Sequence, residues 1–146
     1  MQESINNFSD EFHFLSNFYY CKVIYDGYEY PSSEHAYMCA KTNDPVWKDF
    51  IRNCRTPGQA KRAGRMVPLR EDWETVKLEV MENILRAKFS VPSMREMLLL
   101  TGDCELVEGN TWGDKFWGVC DGEGENHLGK LLMKIRAELA KEYILS

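Results

Sequence analysis

The sequence predicts an α+β fold, mostly helical, with one small antiparallel sheet. Three observations predict it. Asp26-Gly27 lies between Val23, Tyr25 and Tyr28, Tyr30, the pattern of a hairpin turn between short strands. Helix start signals follow one another from Pro31 to Pro92. Leu128, Leu131, Leu132, Ile135, Leu139 and Tyr143 then form the clearest helical stripe in the chain.

Phe12, Phe14 and Phe18 alternate with polar residues ahead of the hairpin at Cys21 to Tyr30. Pro31-Ser32-Ser33-Glu34 reads as a helix start with a serine N-cap and an early carboxylate, the helix running to about Thr42. Asp44-Pro45 starts a second helix, supported by the apolar pairs Val46/Phe50 and Trp47/Ile51. Thr56-Pro57-Gly58-Gln59 starts a third at capping-box spacing. Asp72 is a cap for a longer helix with Trp73, Val76, Val80, Ile84 and Leu85 on one face. Pro92-Ser93, with Glu96 completing a capping box, opens another helix that Gly102 stops. Leu106 to Val119 reads as short strands, joining the sheet, around the loop Gly109-Asn110-Thr111-Trp112-Gly113-Asp114. Asn126 is the cap of the last helix.

The 146 residues suit one domain, 1–146, with a core of its own. At 44% hydrophobic and 28% charged, with 18 aromatics, the chain is neither disordered nor fibrous. No apolar run approaches the ~18 residues of a spanning helix. Met1 opens onto Gln2-Glu3-Ser4 and not onto a basic then apolar leader, so a cytoplasmic protein with no membrane partner is expected. Cys21, Cys39, Cys54, Cys104 and Cys120 contain no Cys-x-x-Cys pair and read as reduced, mostly buried thiols. The net charge of −5 disfavours indiscriminate binding of long polyanions. Within it, Pro57 to Arg70 holds Lys61, Arg62, Arg65 and Arg70 and no acid, a local +4 suited to a small phosphorylated ligand.

Three groups of residues carry candidate chemistry, each with a plainer reading beside it. Glu34 and Lys41 are seven residues apart, nearly two turns, so both leave one helix face about 10 Å apart along the axis. They are either surface decoration or, because Ala36, Met38, Cys39 and Ala40 make the helix apolar, an acid and an amine drawn into one pocket. Trp112, Asp114 and Trp117 lie among glycines and either stack and hold a flat base or belong to a hairpin core. Lys61 and Arg65 at i,i+4, with Arg62 adjacent, either converge on a phosphate or form a solvated basic face. His35 and Cys39 share the i,i+4 spacing of a metal pair, but no second pair is evident. A structural histidine is the expectation, with no metal and no cofactor.

Four motifs in order make the chain resemble the NADAR superfamily of YbiA-like N-glycosidases over nearly its full length. They are Phe14-Leu15-Ser16-Asn17-Phe18; Tyr30-Pro31-Ser32-Ser33-Glu34-His35-Ala36-Tyr37 with Lys41; Ala60-Lys61-Arg62-Ala63-Gly64-Arg65; and Asn110-Thr111-Trp112-Gly113-Asp114 through Trp117-Gly118. The resemblance implies a YbiA-like fold and hydrolysis of an N-glycosidic bond in a phosphoribosyl or ADP-ribosyl compound. The substrate partner would be an aminopyrimidine riboflavin intermediate or ADP-ribosylated guanine in nucleic acid. It also implies Glu34 and Lys41 as catalytic residues, and Asn17, Lys61, Arg62, Arg65, Trp112, Asp114 and Trp117 as substrate-binding. A non-catalytic module that senses ADP-ribose or a related nucleotide is the alternative.

Overall fold

The computed structural model describes residues 3–145, the side chains of residues 143–145 excepted. The fold gathers into two compact units, one formed by Asn17–Lys88 and the other by the chain up to Ser16 together with the run from Phe89 onward. Among the described residues, no helix is long and apolar enough to cross a membrane.

In the Asn17–Lys88 unit the expected hairpin is present, β2 (Val23–Tyr25) pairing antiparallel with β3 (Tyr28–Tyr30), after a first strand β1 (Ser4–Ile5) in the other unit. Asp26 and Gly27 have φ of 52° and 81°, the two left-handed positions that a two-residue hairpin turn requires. Four helices follow: α1 (Ser33–Ala40), α2 (Pro45–Arg52), α3 (Pro57–Gly64) and α4 (Trp73–Lys88). Three of the caps read from the sequence are formed. Ser32, Asp44 and Thr56 accept the N–H groups of His35, Val46 and Gln59. The Gln59 side chain reaches back one residue further than a capping box has it, accepting from the Arg55 N–H at 2.9 Å. Asp72 behaves differently: its carboxylate is held by the Arg70 guanidinium through bonds of 2.6 and 3.0 Å.

The centre of this unit is α1. Every residue from Ser33 to Ala40 is buried, and α2, α3, α4 and the hairpin all pack on it. Ala36 to Ala40 form an unbroken run without a charged or amide side chain, which leaves this part of the helix no polar face to turn to solvent. Tyr37 meets Trp73 of α4 with ring centroids 5.1 Å apart. Gly64 lets α3 come close, since a Cβ there would collide with Met38 Sδ and stand 3.0 Å from Met38 Cγ.

The other unit holds a 3-10 helix (Asp10–Leu15) in the Phe-rich stretch, then α5 (Pro92–Leu100), β4 (Glu105–Leu106), β5 (Gly109–Asn110), β6 (Val119–Cys120) and α6 (His127–Leu145). Here the expected antiparallel extension of the sheet is corrected: β1 pairs with β4 and β5 with β6, both parallel and two residues long. Strands this short carry no alternation from which pairing or direction can be read. Val91, not Ser93, precedes the first turn of α5, where Pro92 occupies a position that needs no N–H donor. Asn126 is also reassigned. With φ of 54°, it turns its amide away from capping: Oδ1 accepts the Glu108 N–H at 3.0 Å and Nδ2 donates to Leu106 O at 2.9 Å. Leu128, Leu132 and Ile135 of the α6 stripe are in the core, Leu131 and Leu139 are half-buried, and the Tyr143 side chain lies outside the described residues. Of the five free cysteines, Cys39 and Cys120 are buried while Cys21, Cys54 and Cys104 are half-buried, so burial is less general than expected.

His35 is structural, and its protonation follows from its partners. Nε2 stands 2.9 Å from Cys54 O, which only accepts, so Nε2 bears the proton. Nδ1 then accepts from the Ser32 hydroxyl at 2.7 Å, whose oxygen accepts the His35 N–H at 3.2 Å. Burial lowers the His35 pKa, with the Cys54 carbonyl opposing. Unfolding restores a value near 6.5, so the neutral imidazole stabilises the fold above about pH 6.5 and this contribution is lost as pH falls toward the depressed folded value. Denaturant titrations between about pH 7.5 and pH 5 are expected to show stability falling on acidification, and falling less steeply in a His35→Gln variant; equal slopes would contradict the assignment.

Candidate active site

The site in the Asn17–Lys88 unit is built around the two ends of α1. At its front, Asn17 fastens the first turn: its carbonyl accepts the Glu34 N–H at 3.0 Å and its Oδ1 accepts the Ser33 hydroxyl at 2.9 Å. The Asn17 amide rests against Met81 Sδ of α4 at 3.5 Å. Asn17 thus acts on the site by ordering a helix N-terminus whose N–H groups have no partner within the helix. Glu34, one residue into that turn, is 7% exposed.

At the far end, Lys41 is the residue on which α1 stops. Its carbonyl accepts the Arg70 N–H at 2.8 Å, and Arg70 Nη1 reaches Ala40 O at 3.5 Å. The last carbonyls of the helix are therefore satisfied, and Asp72 holds the guanidinium in place. The fourth cation of the basic segment supports this helix end.

The half-buried Lys41 amine has its pKa lowered. Burial is the largest cause; the Glu34 carboxylate pulls upward, and Arg65, Lys61 and Lys77 push down again. One acid and three cations thus act on one partly desolvated amine. Lys61 lies in α3 and Arg65 is the residue on which α3 stops, and the Lys61 ammonium lies 5.8 Å from the Phe18 ring, beside Asn17. Arg62 is placed elsewhere: it is exposed and its charge acts on the Cys54 thiol, lowering a pKa that burial raises.

Lys77 was not among the expected site residues. It comes from α4, four residues after Trp73, and is paired with Glu74 at 2.6 Å. Its signal was there to read: a lysine on the helix stripe that begins at Trp73.

Trp112, Asp114 and Trp117 belong to the other unit. Asp114 braces its own loop, Oδ1 accepting the Phe116 and Trp117 N–H groups at 3.1 and 2.9 Å, while Asn110 holds the loop from Oδ1 and Nδ2 to Asp114 N and O at 3.0 and 2.8 Å. Trp117 is half-buried, edge-on to Phe116 at 4.9 Å and to His127 at 6.4 Å. Trp112 is 63% exposed. The two indoles thus differ, Trp117 packed against neighbouring rings and Trp112 exposed. No cluster of three or more His, Cys, Asp or Glu side chains suited to a metal occurs among the described residues.

The NADAR domain profile matches residues 5–140. N-glycosidase YbiA of Escherichia coli K12 is 42% identical, with 97% of this chain and 92% of that protein covered. A riboflavin biosynthesis protein of Vibrio vulnificus is 41% identical over 89% of this chain, which corresponds to 36% of that longer protein. The NMR structure of Escherichia coli YbiA superimposes with a TM-score of 0.86 at 40% identity, covering 99% of this chain and 89% of the other. With a match that runs through all four sequence motifs and both compact units, the chain belongs to the NADAR family.

Proposed function

We propose that this chain is an N-glycosyl hydrolase that cleaves the C1–N bond of a phosphorylated ribosyl compound, with Glu34 and Lys41 as its catalytic pair. The observation that carries the proposal is the convergence on Lys41. A carboxylate and three cations act on an amine that burial shifts toward its neutral form. A neutral amine is a nucleophile, an adjacent carboxylate can take and return protons, and cations at that point favour phosphate.

Breaking a ribosyl C1–N bond builds positive charge on the sugar, which the Glu34 carboxylate stabilises more in the transition state than in the ground state. The Lys41 nitrogen bonds to C1 while the C1–N bond electrons leave with the base, which takes a proton relayed by Glu34; the ring C1–O bond of the lysine adduct then breaks, its electrons staying on the ring oxygen, which takes the second lysine proton as the C1=N bond forms. The resulting imine is hydrolysed by water, returning the lysine and a free sugar, so the net reaction adds one water across the C1–N bond. Lys61, Arg65 and Lys77 hold phosphate oxygens. A riboflavin biosynthesis name among the relatives favours an aminopyrimidine ribotide over ADP-ribosylated guanine, as does the net charge of −5.

Incubation with an aminopyrimidine ribotide and, separately, with ADP-ribosylated guanosine, followed by mass spectrometry, is expected to show release of free base from one of them. Borohydride added during turnover is expected to leave a reduced sugar adduct on Lys41. No adduct together with full activity in Lys41→Ala would exclude the covalent route, and binding without any base release would leave a nucleotide-sensing module. Arg65→Ala is expected to raise KM about 10-fold, the worth of one charge-assisted phosphate contact, with kcat changed less than about 3-fold. A fall in kcat at constant KM would remove Arg65 from phosphate binding.

A further inference from the structure

Lys88, the last residue of α4, is 0% exposed, and the chemistry above does not use it. Every buried side-chain nitrogen and oxygen among the described residues has a hydrogen-bond partner, so its ammonium is a satisfied buried charge. Removing one member of such a buried set leaves the others unpaired, so whatever the ammonium holds depends on it.

Two of its neighbours belong to one segment. Nζ lies 5.9 Å from the centroid of the Tyr19 ring, within cation–π range, and its charge also acts on the Cys21 thiol. Tyr19 and Cys21 are part of the strap 17–21, which is tied to the front of α1 at both ends. Asn17 holds the Glu34 N–H and the Ser33 hydroxyl, and the Cys21 N–H donates to Pro31 O at 3.1 Å. Asn17 in turn rests on Met81, seven residues before Lys88 and so on the same face of α4. The long helix thus grips the strap twice, with Met81 against Asn17 and Lys88 against Tyr19.

We propose that Lys88 is a positioning residue, whose buried ammonium holds Tyr19 and the 17–21 strap against α4 and so fixes the first turn of α1 and the Glu34 carboxylate. The assignment of a role in turnover rests on Glu34 acting as proposed above; the effect on the Glu34 amide does not.

The test is Lys88→Met in the full-length protein, read by amide hydrogen exchange and by kinetics on whichever ribosylated substrate the wild type cleaves. The expected result is that the Glu34 amide exchanges about 10-fold faster while the Ile84 amide of α4 is unaffected, the scale of one weakened hydrogen bond. kcat is expected to fall about 10-fold or more with KM within about 2-fold, since only alignment is lost. Tyr19→Leu should reproduce these changes, and the double variant should add nothing further. An unaltered Glu34 amide in Lys88→Met, or acceleration spread evenly over all amides, would overturn the proposal. If Lys88→Met does not fold, an unaltered Glu34 amide in Tyr19→Leu overturns it instead. Absence of turnover in the wild type would count against the glycosidase reading, while the exchange measurement still decides the role of Lys88.

Discussion

A helix with no exposed face must find a partner for every polar group it carries, and α1 is such a helix. Much of the Asn17–Lys88 unit can be understood as the answer to that constraint. Asn17 and Ser32 take up the N–H groups of the first turn, Arg70 takes the last carbonyls, and His35 is locked between Ser32 and Cys54. These bonds leave Glu34 and Lys41 at the two ends of a rigid rod. The apolar middle, with Tyr37 on Trp73 and Met38 under Gly64, admits two close helices and little water.

The electrostatics of the site follow from the same burial. In water the Glu34 carboxylate would hold Lys41 protonated; here desolvation, helped by three nearby cations, outweighs it and the amine is shifted toward neutrality. In the proposed reaction the cations assigned to phosphate also prepare the nucleophile, because both tasks need positive charge close to Lys41. Glu74 tempers one of them by pairing with Lys77. Arg62, next to Lys61 on α3, instead acts on the Cys54 thiol.

The elements governed by local chemistry were legible in the sequence. Asp26-Gly27 needs two left-handed residues and gets them, and Ser32, Asp44 and Thr56 cap where their side chains can reach a free N–H. The apolar character of the Glu34 to Lys41 segment correctly signalled that its charges would be drawn inward. Two caps failed because another partner takes the side chain: Asp72 is held by the guanidinium of Arg70, two residues away, and Asn126 by the backbone of Leu106 and Glu108. Lys77 and Lys88 were overlooked because α4 was read by its apolar residues alone; both lie on the Trp73 face, where a lysine has either to reach out or to be held inside.

The titration of the Lys41 amine, followed by NMR after isotope labelling of lysine side chains, tests most directly whether acid and amine share one partly desolvated environment. Lys41 is expected to lose its proton at lower pH than the exposed lysines, and at lower pH still in Glu34→Gln, because that change removes the one charge holding the proton on. A Lys41 that titrates with the exposed lysines and does not respond to Glu34→Gln would contradict the shared environment and the chemistry built on it.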